Sequence, residues 1–442
     1  MIACEVRHDL VVTEIEQEIS MHDGVKRQLL EHIAKQYLDS RDFNGLAATL
    51  LFNALAEFPV DIEPVLTELV AEGAVYANFG HEMSNPHIIG FPHQSAADNL
   101  AEVQKRGGVR SAVLYPTRDT LAAMSAGDRN PGAPYSAALA LGHAQLESIF
   151  FQADVLGRYR DDPRYDYTLD IEGEIRGQEG IPHDTYLTTF SIGFDADPQN
   201  HEIVVGVPLR YLHDLVPEEQ AYWKSFEHER QSWVLHPDWV RPNLMGDFPE
   251  RVSPYTAVLM EMRLINDICG VIGYPSLFRN LYDGSTRPTD YGYLIRPTNR
   301  ELFNFVEQLN KLLIDNLDKK FFAHAGITLT AERQDSEGNT YRGERGTLNM
   351  LIEWMESTVK HDPGDMVPSA ASTLKEIRNV RSKSAHVLLE NNYDSSVWED
   401  QRRYVIGAYL AVRSIRQLLQ SHSKAASIEV PHELDEAKVW PF

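Results

Sequence analysis

Apolar residues recur at helical spacing through the C-terminal part of the chain. From Leu302 to Leu317, leucine, valine and phenylalanine return every three or four residues, which is the period of an amphipathic helix. Thr298 and Glu301 form the pair typical of a capping box at its start, and Ser396 and Glu399 repeat that pair further on. Four helices are predicted, beginning near Thr298, Thr347, Ser369 and Ser396. Because each carries one apolar stripe, we expect them to bury these stripes together as a four-helix bundle.

Strand-like patterns dominate the middle of the chain. After a predicted helix from Pro134 to about Leu156, apolar and β-branched residues alternate or cluster in several short runs. These runs are Tyr167 to Gly177, Thr185 to Phe194 and Glu202 to Tyr211. Helical spacing returns from Tyr255 to Ile272, and a polar loop at 328–345, inside the C-terminal part, has room for a hairpin.

Residues 43–91 have the order of elements found in a winged helix. Helices are predicted at 46–55 and 61–72, followed by strands at 75–79 and 87–91. The second helix, in the position of a recognition helix, contains four acids and no basic residue, namely Asp61, Glu63, Glu68 and Glu72. Since DNA binding depends on Lys and Arg beside phosphates, a structural or protein-contact role is predicted, with no specific DNA binding.

These patterns predict a multidomain α+β chain. A helix-rich, winged-helix-like part covers residues 1–130, a mixed and β-rich middle domain covers 131–296, a four-helix bundle covers 297–425, and a tail covers 426–442. A length of 442 residues with 43% hydrophobic residues is enough for several cores.

The net charge and the cysteine content limit the classes of function that the chain can have. A net charge of −24 opposes non-specific binding to nucleic acid, so any RNA contact must be local. Cys4 and Cys269 are the two cysteines, which excludes a disulfide framework and favours the cytoplasm. No run reaches the roughly 18 apolar residues that span a bilayer, so no membrane association is expected. No nucleotide-binding motif is present, and His81, Glu82, His87 and His93 match no standard metal-ligand spacing, so neither a cofactor nor a metal is expected.

The third predicted helix of the bundle separates an apolar side from a basic one. The apolar side, expected to face the core, consists of Leu374, Ile377, Val380, Ser384, Val387 and Leu388. Arg381 lies at the border and is long enough to lean onto the polar side. We call the remaining hydrogen-bonding and basic positions, with Arg381, the polar strip: Lys375, Arg378, Asn379, Arg381, Ser382, Lys383 and His386.

This stretch resembles the motif of HEPN domains. In that family an Arg and a His are separated by four to six residues on the third helix of a four-helix bundle. Here residues 377–386 read Ile-Arg-Asn-Val-Arg-Ser-Lys-Ser-Ala-His, so that Arg381 and His386 have the spacing. Ser382 stands where the family usually has Asn, Asp or His, although its hydroxyl still donates and accepts hydrogen bonds. The resemblance covers roughly residues 298–422.

The resemblance implies metal-independent cleavage of RNA, in which a ribose 2′-hydroxyl attacks the adjacent phosphate. His386 is the candidate general acid or base, because an imidazole exchanges protons near neutral pH. Arg381 is expected to hold the phosphate and stabilise its charge, with Ser382 orienting the phosphate or the imidazole. Arg378, Asn379, Lys383 and Lys375 are the candidate RNA-binding residues.

The implied partners are RNA and a second copy of the chain, because one helix supplies one set of these residues to a shared cleft. The first hypothesis is an endoribonuclease acting as a toxin or antiviral defence effector, whose front domains sense a trigger or bind a protein such as an antitoxin. The alternative is a non-catalytic dimeric interaction or regulatory protein that uses the bundle and the winged helix for protein contacts. In that case the polar strip is a solvated helix face. A third hypothesis is a transcriptional regulator that uses the winged helix, and the acidic helix from Asp61 to Glu72 counts against it.

Overall fold

The computed structural model describes residues 22–40, 42–56, 61–80, 95–197, 200, 202–229, 232–248, 251–284, 286–334, 339–359, 365–384, 391–436 and 438–439. The chain divides into two compact units, the first formed by Met1–Ile149 and Val207–Glu227 and the second by Phe150–Gly206 and His228–Phe442. Both units contain helices and strands, which confirms a multidomain α+β chain. The finer division into three domains and a tail stays a prediction.

The first unit combines helices with a small antiparallel sheet. Its front part has helices at 22–39, Ala48–Ala54, Ile62–Ala71 and Ala96–Lys105 and strands at Leu46–Ala47, Val75–Asn78 and Val113–Pro116. The last of these strands lies between the other two. Short helices follow at Arg118–Ala123, Pro134–Ala140, Leu209–His213 and Pro217–Lys224. The predicted strand at 87–91 lies outside the described residues. Val75–Asn78 pairs with Val113–Pro116.

One helix of this unit ends earlier than its apolar residues indicate. The prediction of a helix from Pro134 to about Leu156 is wrong, because the helix ends at Ala140. Gly142 adopts a left-handed backbone with φ +83°, and the amides of Gly142 and His143 bond back to the carbonyls of Leu139 and Ala138. These paired bonds close the helix, and the chain then enters the strand Ser148–Gln152.

A larger sheet belongs mainly to the second unit. Its strands lie in the order Ser148–Gln152, Ile203–Pro208, Phe190–Asp195, Glu172–Gly177, Tyr165–Thr168, and Trp233–Leu235 also pairs with Phe190–Asp195. The run predicted as one strand at Tyr167 to Gly177 is a hairpin of two strands. The run predicted from Thr185 becomes a strand at Phe190, and the run to Tyr211 turns into a helix after Pro208.

The helices of the second unit follow the predicted order. The long ones are Pro254–Ile272, Asn299–Asn310, Thr347–Thr358, Met366–Ser384 and Val397–Gln420, with shorter helices at Gly157–Asp161, Pro237–Val240, Lys319–His324 and His432–Asp435. The polar loop holds the hairpin Thr330–Gln334 with Thr340–Glu344, as predicted. We call Met366–Ser384 the motif helix. It packs against Asn299–Asn310, Thr347–Thr358 and Val397–Gln420, and Pro254–Ile272 packs along the last of these.

The helix starts depend on few side chains. Thr298 Oγ1 accepts the amide of Glu301 at 3.3 Å, as a cap should. The return bond of a capping box is absent between these two residues, since the Glu301 carboxylate accepts the amide of Arg296 at 2.9 Å. The second predicted box is wrong, because the Ser396 hydroxyl donates to Asp394 at 2.7 Å and makes no cap for Val397–Gln420.

A buried ion pair joins the sheet to the helices of this unit. Asp170 Oδ2 accepts from Arg287 Nη1 at 2.6 Å, from Ser253 Oγ at 2.8 Å and from Thr256 Oγ1 at 3.0 Å. Burial alone raises the pKa of Asp170, but the charge of Arg287 and these hydrogen bonds outweigh it and leave the pKa below its ordinary value.

None of the helices in the described part of the chain combines the length and the apolar composition that a membrane-spanning helix needs.

Candidate functional site

The motif helix buries the side that its apolar spacing indicates. Leu374 and Ile377 are buried, and Val380 is half-buried. On the polar strip, Lys375 and Asn379 are exposed. The sequence therefore identified which side of this helix faces the core as far as Val380, because one helix periodicity fixes both sides at once.

The polar strip is described in part. Arg378 and Arg381 are half-buried and lie on the same helix as Lys375 and Asn379. Ser382 and Lys383 belong to the helix, but their side chains, like the whole of His386, lie outside what the structure describes. The same holds for the predicted core positions Ser384, Val387 and Leu388, whose side chains are not described. The roles given to these residues stay predictions.

Arg378 has a partner that the sequence did not indicate. Its Nη1 donates to Asp315 Oδ1 at 2.7 Å and lies 3.4 Å from Asn310 Oδ1. Asn310 is buried and also donates to Asp315 Oδ2 at 2.8 Å, so the amide fixes the carboxylate in place. The Arg378 and Asp315 side chains are 38% and 39% exposed, which makes this a pair that water and ligands can reach.

A change in helix geometry positions this partner. The helix Asn299–Asn310 continues as one π-helical turn, Lys311–Asp315, and Asp315 is its last residue. Single π turns inside helices are frequent at functional sites. The leucine spacing of this segment predicted a continuous helix but could not reveal the altered turn, and it gave no sign that Asp315 faces Arg378.

Glu376, the acidic residue between Lys375 and Arg381, pairs with residues of another helix. Glu376 Oε1 accepts from Arg403 Nη1 at 2.6 Å and from the Tyr404 hydroxyl at 3.3 Å, both on Val397–Gln420. Arg403 also pairs with Asp400 at 3.0 Å. Because Glu376 is neutralised there, it subtracts little from the positive charge of its exposed neighbour Lys375.

Other candidate chemistry is weaker. Cys269 is buried, and burial raises the pKa of its thiol to about 12, so it is an unreactive side chain at neutral pH. Among the described residues no group of three or more His, Cys, Asp or Glu side chains is placed to hold a metal ion. His81, Glu82, His87 and His93 lie outside those residues.

Comparison with known proteins adds no assignment. No protein-family model, no curated protein and no solved structure matches this chain. The resemblance of residues 377–386 to the HEPN motif therefore stays a prediction from sequence.

Proposed function

We propose that residues 297–425 form a HEPN-like bundle and that the chain is a metal-independent endoribonuclease of the toxin or defence-effector kind. One observation carries the proposal: the motif helix is the third of the four long helices in residues 297–425, packs against the other three, and keeps Lys375 and Asn379 exposed opposite the buried Leu374 and Ile377. A basic helix face in a chain of net charge −24 marks the local site that RNA contact requires.

In the proposed reaction the chain supplies a phosphate clamp and a proton carrier. Arg381 holds the scissile phosphate through its planar fork and stabilises the charge that develops on it. His386 exchanges the proton of the attacking 2′-hydroxyl or of the leaving oxygen, and Ser382 orients the phosphate or the imidazole. Lys375, Asn379 and Lys383 bind the neighbouring backbone.

Arg378 takes part in RNA binding by exchanging its partner Asp315 for a phosphate. Its ion pair with Asp315 is more than one-third exposed, so water screens the attraction, and such pairs contribute about 0–1 kcal/mol. A phosphate oxygen offers the guanidinium an equivalent acceptor at little energetic cost. Asp315 then acts as the resting partner of Arg378 in the absence of RNA.

The proposed active unit is a homodimer through the bundle, because one motif helix supplies one Arg381 and one His386 to a shared cleft. Static light scattering of the full-length protein at micromolar concentration is expected to give twice the mass of the chain. A monomeric mass throughout that range excludes the shared cleft.

For the front part we propose a winged-helix-like regulatory domain that contacts protein. The order of strands and helices around Ile62–Ala71 supports this proposal. The acids of that helix are engaged within the unit: Glu68 accepts from Lys26 at 2.7 Å, and Glu63 accepts the amide of Val109 at 2.6 Å. Fluorescence anisotropy is expected to detect no duplex DNA binding at physiological salt, whereas sub-micromolar affinity would favour a transcriptional regulator.

RNA cleavage by the purified chain tests the proposed function. Wild-type protein is expected to cut RNA equally in EDTA and in buffer. Arg381→Lys keeps the charge but loses the planar fork, so the rate is expected to fall by roughly 10²-fold or more. Arg263→Lys is the matched control, since Arg263 is exposed on Pro254–Ile272 and pairs with Asp283 instead. Full activity of Arg381→Lys would show that cleavage does not depend on the planar fork of Arg381. Absence of RNA cleavage by the wild type would favour the non-catalytic interaction protein instead.

A further inference from the structure

A cleft of about 460 Å³ opens in the second unit beside the first turn of the helix Asn299–Asn310. Its volume falls in the range of small-molecule sites, roughly 300–1,000 Å³. The buried part of its lining consists of Tyr167, Tyr293, Leu294 and Ile295. The exposed part includes Asp290, Arg300, Asn304 and Asn391.

The half-buried charges of the cleft already neutralise one another. Glu301 accepts from Arg160 Nη1 at 3.0 Å and from the amide of Arg296 at 2.9 Å. Arg160 Nε also donates to Asp161 at 3.0 Å, and Arg296 pairs with Asp154. In these pairs both guanidiniums are already matched by carboxylates, so Arg160 and Arg296 are not available to hold an anionic ligand.

The remaining polar side chains have no such engagement. Within the part of the chain that the structure describes, Arg300, Asp290, Asn304 and Asn391 line the cleft without a side-chain hydrogen bond or an ion pair. One guanidinium, one carboxylate and two amides thus converge on the same space. Convergent polar groups of this kind fix the orientation of a bound molecule.

A buried hydroxyl points to a ligand independently. Tyr167 is 4% exposed and lines the cleft, and its hydroxyl has no hydrogen-bond partner among the described residues. Leaving a buried hydroxyl unsatisfied is unfavourable, and such a group calls for an explanation in a folded protein. A polar group of a molecule bound in the cleft is one such explanation, because Tyr167 is part of the cleft lining.

We infer that this cleft binds a nucleotide that carries a single phosphate monoester. The guanidinium of Arg300, in the first turn of a helix whose N-terminal end favours anions, matches the phosphate. The Asp290 carboxylate matches ribose hydroxyls, and the amides of Asn304 and Asn391 match the donors and acceptors of a base edge. The unpaired carboxylate of Asp290 disfavours a ligand with several phosphates, because like charges repel at short range.

The inference goes beyond the proposed cleavage of RNA and holds whether or not the polar strip is catalytic. The same chemistry is offered by a free mononucleotide and by the phosphorylated end of an RNA strand. In both cases the phosphate binds at Arg300, and the test distinguishes these two sources.

Isothermal titration calorimetry of the full-length protein provides the test. The probes are AMP, GMP, CMP and UMP, their nucleosides, and a short oligoribonucleotide with and without a 5′-phosphate; the oligonucleotide arm uses the His386→Ala protein. Arg300→Gln removes an exposed charge and is expected to weaken binding about ten- to a hundredfold, as for the loss of a charged hydrogen bond. Tyr167→Phe removes only the hydroxyl and is expected to weaken binding about two- to tenfold. Arg342→Gln, which removes an exposed charge from the hairpin strand Thr340–Glu344, is the control and is expected to bind like wild type.

Saturable binding of at least one mononucleotide, lost with its phosphate and weakened by Arg300→Gln, supports the site. Tighter binding of the 5′-phosphorylated oligonucleotide than of every mononucleotide assigns the ligand to an RNA end, and the reverse order assigns it to the free nucleotide. No saturable binding of any phosphorylated probe at millimolar concentration overturns the inference. Equal affinity of Arg300→Gln and wild type overturns it as well.

Discussion

Two Arg–Asp pairs in the second unit have nearly the same geometry and very different surroundings. Asp170 and Arg287 meet at 2.6 Å with side chains 10% and 5% exposed, whereas Asp315 and Arg378 meet at 2.7 Å with side chains 39% and 38% exposed. Arg287 also donates Nε to the carbonyl of Tyr291 at 2.6 Å. The buried pair is therefore held from several directions, and the exposed pair depends on Asn310.

The difference shows that burial, more than distance, decides what an ion pair can do. In the interior, removing one charge leaves the other without water, so the pair is fixed. At the surface, water replaces either partner, so the guanidinium can change acceptors. The buried pair of Asp170 and Arg287 is therefore suited to stabilising the fold. The exposed pair leaves Arg378 able to bind a phosphate.

The largest expected effect comes from breaking the buried pair. Asp170→Asn keeps the size of the side chain but leaves the buried charge of Arg287 uncompensated, so the second unit is expected to lose about 3–5 kcal/mol of stability. Urea unfolding of the full-length protein, followed by tryptophan fluorescence, measures the loss. A midpoint unchanged from wild type would mean that the pair does not stabilise the fold.

The second effect concerns His236, a buried residue that faces the charge of Asp170. Burial lowers the pKa of His236 to about 4, below the ordinary value of 6.5. The unfolded chain takes up a proton below pH 6.5 and the folded chain does so only near pH 4, so stability falls as the pH drops across this window. The expected contribution is about 3 kcal/mol, lost between pH 7 and pH 4.

His236→Asn tests this pH dependence without removing the helix cap. The His236 Nδ1 accepts the amide of Asp238 at 3.1 Å, and an Asn side chain offers an oxygen for the same bond. The variant is expected to be less stable at pH 7 but to lose less stability on acidification. If wild type and variant lose stability in parallel from pH 7 to pH 4, His236 is not the group responsible.

The smallest effect comes from the exposed pair. Asp315→Asn is expected to change the stability by less than about 1 kcal/mol, since water and Asn310 replace the lost partner. If Arg378 exchanges partners as proposed, RNA affinity rises about two- to fivefold, because the competing carboxylate is gone. Filter binding of RNA to the catalytically impaired Arg381→Lys protein, with and without Asp315→Asn, measures the change. Weaker RNA binding would show that Asp315 positions Arg378 for RNA instead of competing for it.

Local sequence signals were enough to predict much of the fold. The cap at Thr298 and the apolar spacing that begins near Thr347 and Ser396 located helix starts to within a few residues, because a helix period repeats many times within one segment. The strand at Ser148–Gln152 was predicted as helix, because the apolar residues after Gly142 fit a helix equally well. The glycine that ends the helix was the available signal.

Long-range contacts were not predictable in the same way. The partner of Arg378 lies on another helix, at a π turn that leaves no mark in the hydrophobic pattern. The cleft likewise joins Tyr167 from the sheet to Arg300 from a helix, residues that share no sequence spacing. Periodicity reports which side of an element is buried but not which residues meet across elements.

The most direct test of the proposed function is RNA cleavage in EDTA by wild-type and His386→Ala protein. Wild type is expected to cut RNA, and the variant is expected to be slower by about 10²- to 10⁴-fold, the usual contribution of a general acid or base. Circular dichroism should show the same folded spectrum for both proteins, because the buried Leu374 and Ile377 are untouched. A folded His386→Ala protein that cuts RNA at the wild-type rate would contradict the assignment of the polar strip as a ribonuclease site.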